Sequence, residues 1–314
     1  MKKGLLRFGV AVLVVLCSVA VIDFAIGKMM DWMLPQISNQ GETGKTYFSL
    51  YDVNTPVVIA GSSRSAHHYE TQQVEDSLGL PTYNVSRDGC FFSHNSCVIN
   101  TIMDRYSPKL IIWENRTEYL AESESDPFVN LYPYYGSNEW VTTAIEEELP
   151  WTEYARLNSN IYKFNSIIHR VLTRFRSRNS FEGDPLKGYE PLAPRKLVKK
   201  LELTEELKDA TKVSETREKR FRAVLARAKE KGIKMIITDS PSYTIRRFEN
   251  ASKARMAEIC KEYDVLFIDN TQDPYFLEHP ELFDDRSHLN SDGAKKYTEM
   301  FLNQIHDYVS SIKK

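Results

Sequence analysis

A serine, an aspartate and a histidine occur in two short segments of the chain, and together these residue types can carry out nucleophilic acyl chemistry. Ser63 follows an apolar run that stops at a glycine, and Asp285 and His288 stand three positions apart near the C-terminus. A serine hydroxyl becomes a good nucleophile only when an adjacent base takes its proton. Histidine titrates near neutral pH, and a carboxylate bonded to its other ring nitrogen holds it in one tautomer.

The residues around Ser63 predict that the serine stands at the end of a buried strand. Val57–Ala60 is apolar, and Gly61 ends the run. In open α/β sheets the active site lies at the carboxyl ends of the strands. A helix that begins near Ser63 would add free backbone N–H groups and a partial positive charge, which favour an oxyanion. One turn between Asp285 and His288 would bring the carboxylate to Nδ1 and leave Nε2 for the serine.

Both segments also have a purely structural interpretation. Ser62, Ser63 and Ser65 are of the type that caps helix N-termini. Asp285 and His288 would then lie in a solvated turn before the last helix. Because one segment follows the first strand and the other precedes the last helix, their joint occurrence favours the catalytic interpretation.

Two further histidines, His67 and His68, follow the serine closely. Adjacent positions on a helix diverge by about 100°, so the two rings cannot easily chelate one ion, and we interpret them as structural. A set of oxygen ligands around His288, formed by Asp284, Asp285 and Asp292, is a weaker metal alternative because no second ligand cluster accompanies it.

The two segments resemble the first and last conserved blocks of the SGNH (GDSL-type) hydrolase superfamily. The resemblance implies that Ser63 is the nucleophile, His288 the base and Asp285 the residue that orients it. The usual Gly-Asp-Ser of the first block is Gly-Ser-Ser here. That variant is similar to the membrane-anchored branch, which includes proteins that assist D-alanylation of teichoic acids and O-acetylation of polysaccharides.

Two middle segments resemble the blocks that complete the oxyanion hole of this superfamily. The segment 84–89 is similar to the second block, and the segment 108–115 is similar to the third. The resemblance implies that the N–H groups of Ser63 and Gly89 and the side chain of Asn115 hold the oxyanion. The third block departs from the usual Gly-x-Asn-Asp, because this chain has Glu114-Asn115-Arg116-Thr117 there.

Alternating short apolar runs and helical segments predict an α/β fold with a parallel sheet covered on both faces. The resemblance adds a three-layer α/β/α, flavodoxin-like arrangement. The predicted strands are Pro56–Ala60, Thr82–Val85, Leu110–Trp113, Lys234–Thr238 and Val265–Ile268. The predicted helices of the C-terminal half are Glu215–Lys231, Ser252–Tyr263 and a last helix from Ser291 to about Ser310.

The first 27 residues predict a membrane anchor. Basic residues precede an uncharged run from Phe8 to Ile22, which Phe24–Ile26 extends toward the ~20 residues that a membrane span needs. The basic N-terminus predicts a single-pass protein whose catalytic domain lies on the extracytoplasmic, periplasmic side. A cleaved signal peptide, with Ser18-Val19-Ala20 as its cleavage site, is the alternative.

The chain divides, by these patterns, into an anchor (1–27), a linker (28–50) and an SGNH-like domain (51–314). The stretch 121–214 breaks the alternation of strands and helices, and we predict a mostly helical insertion there. Within it, the apolar spacing over 159–176 predicts one amphipathic helix, whose arginine-rich face is either solvated or in contact with an anionic glycan or lipid surface.

The composition of the chain limits the classes of ligand and partner that it could bind. The net charge is −2 and no Gly-rich phosphate loop occurs, so neither nucleic acid nor a nucleotide cofactor is indicated, and no cofactor or metal is implied. Cys90 and Cys97 are either a disulfide pair or small buried residues. The expected function is that of a serine esterase or O-acyltransferase acting on an acylated envelope glycan, in the second case with a membrane-bound acyl-donor protein. A silent glycan-binding module is the alternative.

Overall fold

The computed structural model describes most of the chain in two compact units. The described residues are 2–39, 41–116, 118–122, 124, 126–177, 183–194, 201–206, 212–246 and 250–312. The first unit comprises Met1–Tyr47 and Val129–Glu182, and the second comprises Phe48–Phe128 and Gly183–Lys314. Every residue of the predicted site belongs to the second unit.

The helices and strands follow in chain order. The helices are α1 (Lys2–Met33), α2 (Gly41–Tyr51), α3 (Ser63–His68), α4 (Thr71–Leu78), α5 (Phe92–Arg105), α6 (Glu139–Glu148), α7 (Trp151–Arg156), α8 (Asn160–Phe164), α9 (Ile168–Thr173), α10 (Glu215–Glu230), α11 (Ala251–Glu262), α12 (Pro274–Glu278) and α13 (Ser291–Val309). The strands are β1 (Val57–Ala60), β2 (Thr82–Asn84), β3 (Leu110–Glu114), β4 (Thr204–Glu206), β5 (Lys234–Asp239), β6 (Thr244–Arg246) and β7 (Leu266–Asp269).

A five-stranded parallel sheet organises the second unit. Its strands lie in the order β2-β1-β3-β5-β7, and β4 and β6 form a separate parallel pair. The register places Ala60 beside Trp113 and Glu114 beside Thr238. Because the strands are parallel, the segments that leave β1, β3 and β5 all start at one edge of the sheet.

Apolar side chains cover both faces of this sheet. On one face, Ile59 and Ile112 belong to a buried cluster that includes residues of α4 and α13. On the other face, Trp113 stacks on Phe92 of α5 and packs against Phe221 of α10, with ring centroids 5.6 Å apart in both pairs. Burial of each such side chain contributes roughly 1.5–3 kcal/mol, and burial on both faces explains the uninterrupted apolar runs of the strands.

The strand and helix predictions for the second unit are confirmed. Each predicted strand agrees with an observed strand to within one residue at either end, and the helices predicted from Glu215, Ser252 and Ser291 correspond to α10, α11 and α13. The pair β4 and β6 was not predicted, because its strands are only three residues long and carry little apolar pattern.

The helix predicted over 159–176 is wrong as a single element. Two short helices, α8 and α9, occupy this stretch, and a turn at 165–167 separates them. Asn165 and Ser166 are poor helix formers, because their side chains compete with the backbone for hydrogen bonds. The apolar spacing still identified buried positions, since Phe164 and Val171 are both buried.

The first unit combines the N-terminal helix with residues 129–182. The Asp23 carboxylate on α1 accepts hydrogen bonds from the Ser159 hydroxyl at 2.6 Å and from the backbone N–H groups of Asn160 and Ile161 at 3.0 and 2.9 Å. Asp23 therefore caps the start of α8 from another helix. In length and composition α1 suffices to span a membrane, a criterion that a signal sequence also meets.

The domain boundaries differ from the predicted ones. Residues 28–50, predicted to be a linker, contain the end of α1 and most of α2. The predicted insertion, 121–214, divides between the two units: 129–182 groups with the N-terminal segment, whereas 121–128 and 183–214 group with the sheet. The sequence pattern identified where the alternation stops, but not which segment the inserted helices pack against.

Candidate active site

The backbone at the end of β1 delivers Ser63 to the carboxyl edge of the sheet. Ser63 is half-buried and is the first residue of α3. Gly61 is required at the preceding bend, because a Cβ there would lie 2.5 Å from the Ser65 Cβ and 2.8 Å from the Glu114 Cβ. The glycine thus permits a close approach of the segment that carries Ser63 to β3.

Ser63, His288 and Asp285 form a continuous hydrogen-bonded chain. The Ser63 Oγ lies 2.8 Å from the His288 Nε2. The His288 Nδ1 lies 2.9 Å from Oδ2 and 3.0 Å from Oδ1 of Asp285. Donation from Nδ1 to the carboxylate leaves Nε2 as the acceptor that faces the serine hydroxyl, which is the tautomer that general-base catalysis requires.

The loop that carries Asp285 and His288 is fixed by its own hydrogen bonds. The Asp285 Oδ1 also accepts from the backbone N–H groups of Ser287 and His288, at 2.7 and 2.9 Å. Partial burial opposes ionisation of Asp285, but the hydrogen bonds from His288 and Ser287 outweigh it and lower the pKa of the carboxyl to about 2. The carboxylate therefore stays charged at neutral pH.

A buried relay holds the histidine loop against the sheet. The Leu289 N–H donates to the His68 Nε2 at 2.9 Å, and the His68 Nδ1 lies 2.8 Å from the Ser240 Oγ. The Ser240 Oγ in turn donates to Glu114 at 2.8 Å. Since Nε2 accepts, His68 carries its proton on Nδ1. Burial, with Arg64 nearby, keeps the pKa of His68 well below its usual value, so the ring is neutral.

Glu114 and Arg64 centre a second buried network at the ends of β3 and β5. The Arg64 guanidinium lies 2.7 Å from Asp239 and donates to Ser240 at 3.2 Å. Glu114 accepts from the Tyr69 hydroxyl at 2.7 Å. Burial and the neighbouring Asp239 raise the pKa of Glu114, although Arg64 opposes this. Because Arg64 adjoins Ser63 in sequence, this network fixes the orientation of α3.

His67 lies closer to the site than its structural interpretation implied. Its ring contacts the His288 ring edge to face, with centroids 5.4 Å apart. Its Nδ1 donates to the Glu190 carbonyl at 2.6 Å, and its Nε2 lies 3.4 Å from Asp88. Burial lowers the pKa of His67, but the hydrogen bonds to Asp88 and Glu190 outweigh it and the pKa is raised.

The side chains of His67, Asp88 and Glu190 could jointly ligate a metal ion. Their ligand atoms lie within 4.8 Å of one another. Among the described residues this is the one such cluster, and it differs from the alternative around Asp284 and Asp292 that the sequence suggested. The backbone carbonyl already holds the ring of His67, so the cluster has a structural explanation without an ion.

The two remaining oxyanion candidates, Gly89 and Asn115, lie in different surroundings. Gly89 lies in an exposed turn with φ +65°, after a segment in which Arg87 donates its backbone N–H to the Gly61 carbonyl at 3.2 Å. The turn therefore runs beside the segment that carries Ser63. Asn115 is fully buried, and its side-chain nitrogen lies 3.9 Å from the sulfur of Met256 on α11. Among the described residues, the Asn115 side chain makes no hydrogen bond to Ser63.

Sequence reasoning identified the three residues that the structure joins and missed those that support them. His68, Ser240 and Glu114 come from three separate elements, and Ser240 carries no local signal of its role. The sequence did indicate a buried network at Glu114, because a carboxylate that ends an apolar strand requires buried hydrogen-bond or ion-pair partners.

Cys90 and Cys97 are buried and are not joined in a disulfide. No family model matches the chain, and a search of the curated proteins finds no match either.

Proposed function

We propose that this protein is a serine-dependent acyl ester hydrolase or O-acyltransferase that acts on an extracytoplasmic glycan through an acyl-enzyme on Ser63. The observation that carries the proposal is the hydrogen-bonded chain from the Ser63 Oγ through His288 to Asp285. The geometry supplies a nucleophile, a base with its free nitrogen on that nucleophile, and a charged carboxylate behind the base.

In the first half-reaction, the Ser63 Oγ attacks the acyl carbonyl while His288 takes the hydroxyl proton on Nε2. The bond from Oγ to the acyl carbon forms, and the bond from that carbon to the substrate alcohol oxygen breaks. The imidazolium then gives its proton to the departing alcohol. Asp285 remains ionised throughout and stabilises the transient imidazolium.

In the second half-reaction, an acceptor hydroxyl replaces the alcohol. His288 removes the acceptor proton, the acceptor oxygen bonds to the acyl carbon, and the Ser63 ester bond breaks. The proton on Nε2 returns to the Ser63 Oγ. Water as acceptor gives an esterase, and a sugar hydroxyl gives an O-acyltransferase.

Backbone N–H groups are the proposed donors to the oxyanion. Ser63 begins α3, so its N–H lies in the first turn, where helices leave donors without intrahelical acceptors. Gly89 follows a segment that is hydrogen-bonded to Gly61, which supports its assignment as the second donor. The third donor implied by the resemblance, Asn115, has its side-chain contact with Met256 instead, so the hole rests on two backbone donors.

The sheet topology supports membership of the SGNH superfamily. The five parallel strands, counted along the chain, lie in the order 2-1-3-4-5, which is the flavodoxin-like order. Ser63 follows the first of these strands, at the point where the order reverses. Crevices at such switch points are the usual ligand sites of open α/β sheets.

The N-terminal helix supports a location at the cell membrane. A single span after a basic N-terminus would leave the second unit outside the cytoplasm, where envelope glycans occur. A transferase in this position would receive its acyl group from a membrane-bound donor protein, whereas a hydrolase would need no partner.

One observation favours a second candidate, a catalytically silent glycan-binding module. The side-chain oxygen of Asn115 is buried without a hydrogen-bond partner among the described residues, and its nitrogen faces a methionine sulfur. A module that never stabilises an oxyanion would tolerate this arrangement. It would bind glycan equally well with and without the Ser63 hydroxyl.

The proposal is tested by hydrolysis of p-nitrophenyl acetate with the full-length protein in detergent, beside Ser63→Ala and Ser62→Ala. We expect turnover that Ser63→Ala abolishes and Ser62→Ala retains, because the Ser62 side chain makes no cap hydrogen bond to α3. Added oligosaccharides that take up acetyl at the expense of free acetate would identify a transferase. Equal rates in all three proteins, with unchanged glycan binding, would favour the silent module.

A further inference from the structure

The segment Lys187–Leu192, which we call the strap, is hydrogen-bonded to three parts of the chain that form the candidate site. Each contact joins backbone groups: the Asn84 N–H donates to the Lys187 carbonyl at 2.9 Å, the Glu190 N–H donates to the Ala66 carbonyl at 2.9 Å, and the Ser291 N–H donates to the Leu192 carbonyl at 2.7 Å. The three segments that the strap contacts carry, in the same order, Gly89, Ser63 and His288.

The strap approaches β2 more closely than a side chain at position 188 would allow. Gly188 has φ +83°, and a Cβ there would lie 1.8 Å from the Asn84 carbonyl oxygen. The Gly188 N–H donates to the Asp184 Oδ2 at 2.7 Å, and the Tyr83 hydroxyl donates to the same oxygen at 2.9 Å. The start of the strap is therefore fixed to β2 through the Asp184 carboxylate.

The side chain of His67 contacts the strap, the proposed base and the turn that holds Gly89. Its Nδ1 donates to the Glu190 carbonyl of the strap at 2.6 Å, and its ring lies edge to face on the His288 ring, with centroids 5.4 Å apart. Its Nε2 lies 3.4 Å from the carboxylate of Asp88, which directly precedes Gly89. His67 is buried, so these neighbours determine where its ring lies.

The loop that carries His288 is held at two points beyond the histidine. The relay through His68 reaches the loop at Leu289, and the strap reaches it at Ser291. The 2.8 Å contact between the Ser63 Oγ and the His288 Nε2 joins segments that are 225 positions apart, so its length depends on contacts of this kind. A displacement of about 1 Å in a reacting group can cost about 100-fold in rate.

We infer that His67 and the strap are positioning elements, which set the His288 ring and the Gly89 turn relative to Ser63; the inference rests on the proposed function. Nδ1 of His67 is directed at the strap and Nε2 at Asp88. His67 therefore acts through its neighbours and not on the reacting atoms. Its role exceeds the structural one that the sequence suggested, because its contacts converge on the base and on the oxyanion turn.

Two glycines provide a matched pair of substitutions. Gly188 and Gly183 both have left-handed backbone, with φ +83° and +103°, so alanine strains both positions. A Cβ at Gly188 would clash with backbone, whereas no described atom lies within 4 Å of a Cβ at Gly183. We expect Gly188→Ala to lower kcat for p-nitrophenyl acetate by about 10- to 100-fold with KM little changed, and Gly183→Ala to keep the wild-type kcat. Equal kcat values in the two variants would overturn the inference.

Substitutions of His67 test its role without a clash in the strap backbone. His67→Asn keeps a donor near the position of Nδ1, whereas His67→Phe keeps a ring beside His288 but loses both polar contacts. We expect kcat to fall about tenfold in His67→Phe and less in His67→Asn, with KM little changed in both. A wild-type kcat in His67→Phe, or a change confined to KM, would overturn the inference.

Hydrogen exchange separates this inference from the proposed function, because it needs no substrate. Backbone exchange of the peptides that contain Gly89 and His288 is followed by mass spectrometry in the full-length protein and in both glycine variants. Faster exchange of both peptides in Gly188→Ala but not in Gly183→Ala supports the inference even if Ser63→Ala shows that no acyl-enzyme forms. Unchanged exchange in Gly188→Ala would overturn the inference while leaving the acyl chemistry intact.

Discussion

At the residue scale, the candidate site depends on the tautomer and charge of three side chains. His288 donates from Nδ1 to Asp285, whose pKa of about 2 keeps it ionised, and presents Nε2 to Ser63 at 2.8 Å. Each of these three hydrogen-bonded residues thus has one role that a single substitution removes. The sequence predicted these roles because they reside in two local motifs.

Replacing Asp285 tests the orientation of the histidine. Asp285→Asn keeps the shape of the side chain but removes the charge that favours the Nδ1–H tautomer, so we expect kcat to fall on the order of 10³- to 10⁴-fold. The kinetics of p-nitrophenyl acetate hydrolysis measure this fall in kcat. Asp284→Asn is the neighbouring control, and a comparable loss in that variant would show that the effect comes from the loop and not from the carboxylate–histidine bond.

Replacing Asn115 tests the third oxyanion donor. The contact of its side chain with Met256 predicts that Asn115→Ala lowers kcat by less than about tenfold, since a true oxyanion donor is worth about 10²–10³. The kcat and the urea unfolding midpoint of Asn115→Ala would be measured together. A loss of 10²-fold or more at unchanged stability would contradict the assignment of the hole to backbone N–H groups alone.

At the element scale, the ends of β3 and β5 hold the two segments of the candidate site together. The relay from Leu289 through His68 and Ser240 to Glu114 joins the histidine loop to the sheet, and Arg64 joins the nucleophile helix to the same residues. His68 is a positioning residue in this account, because it touches the loop backbone and not the reacting atoms.

Substitution of His68 separates positioning from mere packing. His68→Gln retains a side-chain acceptor for the Leu289 N–H, whereas His68→Leu leaves that buried donor unsatisfied at a cost of about 1–3 kcal/mol. We expect kcat to fall more in His68→Leu than in His68→Gln, with KM little changed in both. Equal kcat values in the two variants, or a change confined to KM, would contradict the role of the relay.

The same scale shows what the sequence can and cannot predict. The five strands were predictable because parallel strands buried on both faces are continuous apolar runs. The relay was not, because His68 and Ser240 are 172 positions apart and nothing in the local pattern pairs them. The break between α8 and α9 was missed because apolar spacing records which face is buried and not whether the backbone continues.

At the scale of the whole molecule, several buried histidines link stability to pH. Burial and Arg87 lower the pKa of His94 to about 3, and burial lowers that of His68 well below 6.5. At both sites the unfolded chain binds more protons than the folded one below pH 6.5. The free energy of unfolding therefore decreases as the pH is lowered. His67 acts oppositely, since its raised pKa favours the folded state as pH falls.

Because the pKa is lowered for His68 and His94 and raised only for His67, we predict a net loss of stability when the pH is lowered from 7.5 to 5.5. Each lowered group contributes up to about 1.4 kcal/mol per pH unit. Urea midpoints of the full-length protein at both pH values measure the loss, and we expect His94→Gln to reduce it. The exposed His169→Gln is the control, and a midpoint that rises toward pH 5.5 would contradict the prediction.

The central claim is that Ser63 becomes acylated, and a trapped intermediate tests it most directly. The full-length protein is mixed with p-nitrophenyl acetate, quenched in acid within one turnover, digested and analysed by mass spectrometry. We expect one acetyl group on the peptide that contains Ser63, absent in Ser63→Ala and present in Ser62→Ala. An acetyl group on another residue, or hydrolysis that continues in Ser63→Ala, would contradict the account.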